Sequence, residues 1–240
     1  MRTVATVTAM TTDAITPDVL YRLVTWLSPA YPVGAFSYSS GIEWAVEAGD
    51  IVDAQTLRHW LEAMLADGSG MNDGIFFSQA HRATANADDV ALREIAELAA
   101  AFAPTRERYI ETTNLGRAFI DVTNAAWPCP ALTKFQKLWN GAVAYPVAVG
   151  VACAGHVIPL ASATQVFLTA LTANWISAGG RLIPLGHTES QRLLSALEPT
   201  VAKTAERVLA ATLDDLGSAT FRADIASAMH ETQYTRLFRT

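Results

Sequence analysis

The chain has 240 residues and a formal net charge of −6, with 51% hydrophobic and only 17% charged side chains. That length buries a sizeable core as one large domain or two small ones, and the acidic balance excludes general nucleic-acid binding, which wants a basic face. Cys129 and Cys153 show no CxxC spacing, which excludes a disulfide framework and a cysteine-built zinc site and points to a reducing cytosol.

Residues 1–16 begin MRTVATVTAMTTDA, without the continuous apolar core or processing site of a secretory signal, and read as a disordered leader. A helical body is expected over 17–228. Thr16, Pro17 and Asp18 form a helix entrance, and Val19, Leu20, Leu23, Val24 and Leu27 follow at helical spacing up to Pro29. The next stretch, SPAYPVGAFSYSSGIEWAVEAG from Ser28 to Gly49, cannot start as regular structure. Two prolines lack amide donors and Gly34 admits backbone angles closed to other residues. Ser40 followed by Glu43 reads as a capping box opening a short helix, with Glu47 one turn beyond Glu43 and Gly49 closing it.

Asp53 caps a helix with Leu57, Trp60, Leu61, Met64 and Leu65 on one face. Between Gly41 and Asp73 seven acids stand against the single Arg58, which reads either as an acidic face toward a basic partner or as a solvated surface. Helical patterns continue over 72–85, 88–102 and 107–125, the last containing ETTNLGRAF with Gly116 placed for close approach of a neighbouring helix. Pro128 to Pro130 break the chain, and a short helix passes through Phe135. From Leu138 to Gly180 there is no charged residue at all. Two apolar helices fit there, the second entered by a capping box of Ser162 and Gln165. Pro146, Pro159 and several amides and hydroxyls argue for a buried core pair over a membrane hairpin. Further helices are expected from Thr188 and, separately, from Pro199 to Leu216. Strand signals are nearly absent. The pattern predicts an all-α, single compact bundle of about nine or ten helices around a charge-free central helix pair. Residues 229–240 read as a separate partner-binding tail, whose closing YTRLFRT (234–240) offers no face large enough to bury.

Catalytic apparatus is sparse. Ser37, Ser39 and Ser40 lack a GxSxG elbow, there is no phosphate-binding GxxxxGK[ST] loop, and the five histidines lack ligand spacing, so no stable metal site is expected. One reading is an interaction protein. Its rival is a small helical hydrolase or lyase using Glu43, Glu47 and the serine cluster.

The stretch from Ser28 to Gly49, the ETTNLGRAF helix, NWISAGGRLIPLG from Asn174 to Gly186 and the closing FRADIASAMHETQYTRLFRT together resemble the urease accessory protein UreF family. The Gly179-Gly180 pair departs from that pattern, standing where helix formers are expected, which would loosen the helix near Arg181. The resemblance implies an all-helical, cytoplasmic, dimeric chaperone for nickel insertion into urease. It implies binding to UreD (UreH), recruitment of the GTPase UreG onto apo-urease with regulation of its GTPase cycle, and no cofactor beyond nickel in transit; no membrane or nucleic-acid partner is implied. Partner binding is expected at Tyr38, Ser39, Glu43, Glu47, Arg181, His230, Glu231, Arg236, Leu237 and Phe238. The tail is expected to be mobile alone and to order when UreD binds, with Arg236 docking near Tyr38 and the Glu43 helix.

Overall fold

A computed structural model describes residues 15–240, so most of the expected leader lies outside the described residues. Within them the chain is all-helical and contains no strand. Helix α1 (Pro17–Trp26) starts with proline in the first turn and buries Val19, Leu23 and Trp26. After the proline-rich loop and a 3-10 turn (Ala35–Ser37) comes the short α2 (Ile42–Glu47). Helices α3 (Ala54–Asp67) and α4 (Ser69–Ala85) abut at Gly68. Asp53 caps α3 reciprocally with Thr56, and Asp88 caps α5 (Asp89–Ala101) through the Ala91 amide. Thr105 caps α6 (Arg106–Ala126). Then follow α7 (Pro130–Leu138), α8 (Tyr145–Gly155), α9 (Leu160–Leu182), α10 (His187–Ala210) and α11 (Phe221–His230).

The charge-free stretch forms α8 and α9. Pro146 to Cys153 of α8 are all buried, because a helix apolar all round must be covered on every side. It is covered chiefly by α4 and α6, while α9 packs mainly on α10 and α4 rather than on α8. At the turn between them His156 Nε2 lies 3.0 Å from the Trp127 carbonyl, and burial pushes its basicity down. His81, on α4, is held likewise on the Ile158 carbonyl.

Four local expectations are corrected. Helix α9 starts at Leu160 with Pro159 before it, so Ser162 lies inside the first turn and caps nothing. The same helix runs unbroken through Gly179 and Gly180. Helix α10 is one element rather than two and passes through Pro199. Proline removes one helical hydrogen bond there, but Pro199 and Ser195, whose carbonyl loses its partner, both face outward where water serves instead. The fourth concerns Ser40 and Glu43, which form no capping box: Gly41 is the residue before α2, and both side chains are committed elsewhere.

Candidate functional site

The loop before α2 is built from unusual backbone. Gly34 and Gly41 are left-handed, with φ of 81° and 83°, and Ser40 joins them at 54°. Gly41 has a second reason to be glycine. A Cβ there would meet the Ser227 amide nitrogen of α11 at 2.8 Å. This close approach brings the Ser40–Glu43 segment beneath α11 and beside the first turns of α6.

Ser40 uses its whole hydrogen-bonding capacity. It donates to Glu111 Oε1 (3.0 Å) and accepts from Arg108 Nη1 (2.7 Å) and Trp175 Nε1 (3.0 Å). Arg108 also pairs with Glu111 Oε2 at 2.7 Å and more loosely with Asp73 Oδ2 at 3.6 Å. Burial pushes the Asp73 carboxyl up to about 6 against the pull of Arg108, with Glu111 adding to the rise. Burial alone would lower Arg108, but Glu111 and Asp73 outweigh it and hold the guanidinium charged.

A second cluster lies beside the first. The fully buried His230 ring has Nδ1 2.7 Å from Glu107 Oε2 and Nε2 2.9 Å from Glu43 Oε2. Glu43 further accepts the backbone amides of Leu237 (2.6 Å) and Phe238 (2.9 Å), and Glu107 accepts from Arg236 Nη1 at 3.0 Å. Burial raises the Glu107 carboxyl, partly offset by its bond to His230 and by Arg236. The closing residues then lie along the loop. Arg239 donates its amide to the Ser37 carbonyl, and the Thr240 carbonyl accepts from both the amide and the hydroxyl of Ser39. Phe238 is buried under Arg181, whose guanidinium carbon sits 4.6 Å from the ring centre in cation–π geometry. Arg181 Nη2 donates to the Phe36 carbonyl at 2.8 Å, stapling loop and closing segment together.

The expectation that residues 234–240 carry no packing surface is therefore corrected. Phe238 and Thr240 are buried, and two backbone amides reach a buried carboxylate. The segment lies docked on the body of the chain. Arg236 meets Glu107 of α6, and the neighbouring Leu237 amide meets Glu43 of α2, the helix expected to receive it. Among the other expected site residues, Tyr38 and Ser39 are buried, with Asn114 donating to the Tyr38 hydroxyl at 3.2 Å. Glu231 accepts the Arg106 amide. Leu237 turns its side chain outward. Glu47 is exposed and stands apart from the cluster, so Glu43 and Glu47 form no pair. Both nitrogens of His230 are taken by carboxylates, leaving none to activate a serine.

The acidic run is also largely consumed inside the fold. Asp50 pairs with Arg222, Glu62 with Arg58, Asp67 with Arg207 and Asp73 with Arg108, while Asp53 caps α3. Among the described residues no group of three His, Cys, Asp or Glu side chains is arranged to hold a metal ion. None of their helices is long and apolar enough to cross a membrane. Glu107, Arg108, Glu111 and Asp73 were not among the expected site residues. The available signal was RERYIE at the start of α6, where ionisable groups crowd a helix that the hydrophobic pattern requires to be covered.

Fold and cluster together define an all-helical protein that folds its closing segment back onto its own N-terminal loop. The UreF family profile matches residues 51–198. The chain is 62% identical over 220 residues to the urease accessory protein UreF of Rhodopseudomonas palustris (strain HaA2), covering 92% of this chain and 93% of the relative. Against the protein of that name from Bradyrhizobium diazoefficiens it is 63% identical over 220 residues, covering 92% and 91%. A second R. palustris relative (strain BisA53) is 59% identical over 236 residues, covering 95% of this chain and 99% of its own length. The chain belongs to the urease accessory protein UreF family.

Proposed function

We propose that this chain is a non-enzymatic adaptor in urease maturation, binding UreD (UreH) and recruiting the GTPase UreG onto apo-urease. The observation that carries the reading is the outer face of α11. Phe221, Ile225 and Met229, four residues apart and therefore on one stripe, are exposed, while Ala226, Ser227 and His230 face inward. Tyr234 and Leu237, in the segment that follows α11, are exposed as well. A contiguous exposed apolar edge on a firmly anchored element is the usual form of a protein-docking surface. UreD (UreH) takes this edge. The exposed arginine edge at Arg236 and Arg239, with Arg181 behind it, lies toward UreG and bears on its GTPase cycle. The chain works in the cytoplasm as a homodimer, and nickel is cargo of the assembled complex rather than a resident cofactor.

Separate pull-downs of the full chain with UreD (UreH) and with UreG test this reading. Ile225→Asp places a charge in the stripe without touching the core; it should lose UreD while keeping the wild-type melting temperature. Undiminished capture of UreD by this variant would contradict the assignment of the edge.

A further inference from the structure

The His230 cluster can be read by counting protons. An ionised carboxylate only accepts hydrogen bonds, so the Nδ1–Glu107 and Nε2–Glu43 lines each need a proton of their own. A neutral imidazole carries one. The second proton must therefore sit on the ring or on one of the two carboxyls. Without it a nitrogen lone pair would face a carboxylate lone pair in a fully buried site, where such a mismatch is strongly disfavoured. With it, Glu43, Glu107, His230 and Arg236 sum to zero charge. Without it they leave a net negative charge buried.

No other group on the surrounding elements substitutes for that proton. On α6, Arg108 and Glu111 are turned to Ser40 and Asp73, and the Arg106 amide is bonded to Glu231. On α11, Asp224 takes the Ser218 hydroxyl and Arg222 pairs with Asp50. On α2, Glu47 is exposed, as is Arg239 in the closing segment. Among the described residues Arg236 is the cation that reaches the cluster, at the far oxygen of Glu107, while the charge of Glu231 adds to the rise of the Glu107 carboxyl.

We propose that the Glu43–His230–Glu107 cluster retains this second proton through neutral pH, and that the proton locks residues 236–238 onto the body of the protein. The two carboxylates that share the ring are the ones that hold the segment, Glu43 through the Leu237 and Phe238 amides and Glu107 through Arg236. The elevation of Glu107 by burial supports retention wherever along the Nδ1–Oε2 line the proton rests. The locked form binds a proton that the opened form releases, so the lock is intact at neutral pH and weakens as the solution becomes alkaline. The clasp is thus a proton-dependent gate on the segment that flanks the apolar edge of α11.

Nuclear magnetic resonance of the full-length, isotopically labelled chain tests this directly. At neutral pH the expected result is either two protonated ring nitrogens on His230, or one protonated nitrogen together with a protonated Glu43 or Glu107 carboxyl. One bare nitrogen beside two ionised carboxylates would overturn the proposal. Hydrogen exchange supplies the second readout. Beyond the intrinsic pH effect, protection of the Leu237 and Phe238 amides should fall by up to about tenfold per pH unit between the titration midpoint of the opened form and that of the locked form, and level off above the latter. In Glu107→Gln the amide group can donate to Nδ1 while its oxygen still accepts from Arg236, so a neutral ring satisfies both lines. That variant should keep both amides protected with no alkaline loss. Wild-type pH dependence in Glu107→Gln would overturn the proposal.

Discussion

Gly116 on α6 lies directly beneath the carbonyl oxygen of Val143, and a Cβ at that position would come within 2.0 Å of it. The close neighbour is the backbone leading into α8, so nothing flexible can yield. Alanine would ordinarily favour a helix over glycine by roughly 1 kcal/mol. Here the overpacking should win, and Gly116→Ala should lower unfolding free energy by about 1–3 kcal/mol in chemical denaturation. A gain in stability would mean that α6 and the Val143 backbone do not meet as described.

Val157 makes the opposite case. It closes α8 in left-handed geometry, with φ of 55°, and is 85% exposed. A β-branched residue is poorly suited to that region and receives little packing in return. Val157→Gly should therefore raise stability by about 1 kcal/mol, a rise in melting temperature of about 2–4 °C. An unchanged or lower melting temperature would contradict the strain assigned to this turn.

The two glutamates of α2 should behave quite differently. Glu43→Ala removes the acceptor of two amides and of a buried imidazole, and loss of one partner from a buried pair costs about 3–5 kcal/mol. The same change should expose residues 231–240 to limited proteolysis. Glu47→Ala, at an exposed site without a partner, should stay within about 0.5 kcal/mol of wild type. Equal effects would dissolve the distinction between the two carboxylates.

Asp73 predicts a pH dependence of its own. Its folded value of about 6 lies above the ordinary 3.8, so between these values the folded chain holds a proton that the unfolded chain has lost. Its contribution to stability therefore declines as pH rises from about 4 through about 6 and is unfavourable above. Asp73→Asn removes that decline. Relative to wild type, the variant should be more favourable at neutral pH than at pH ~4 by about 2–3 kcal/mol. A difference between variant and wild type that does not change with pH would contradict the burial assigned to this carboxyl.

Helix positions and the buried character of α8 were legible because they follow from local period, caps and charge content. Asp53 caps where the sequence places it, since no distant group competes for its side chain. Ser40 and Glu43 show the limit. Their spacing satisfies a local motif, yet Glu111, Arg108, Trp175 and His230 claim the same atoms from far along the chain. No local pattern contains that competition. The closing segment was misjudged for a related reason. Its own apolar content is too small to form a face, but most of its docking bonds run through backbone amides and carbonyls, which leave no trace in composition. Family membership was legible from the motifs at both ends of the chain, whereas the ion network linking those ends was not.

In the function proposed above, the anchored closing segment and α11 present a docking edge on which urease maturation depends. Leu237 allows the most direct test, because its amide holds the clasp while its side chain faces outward. The measurement is urease activation, with UreD, UreG and nickel supplied, in cells whose own copy is replaced by Leu237→Asp. Activation should fall by at least about tenfold, the scale of one interface anchor, with the melting temperature of the variant unchanged. Activation at the wild-type rate by a stably folded Leu237→Asp protein would contradict that proposal.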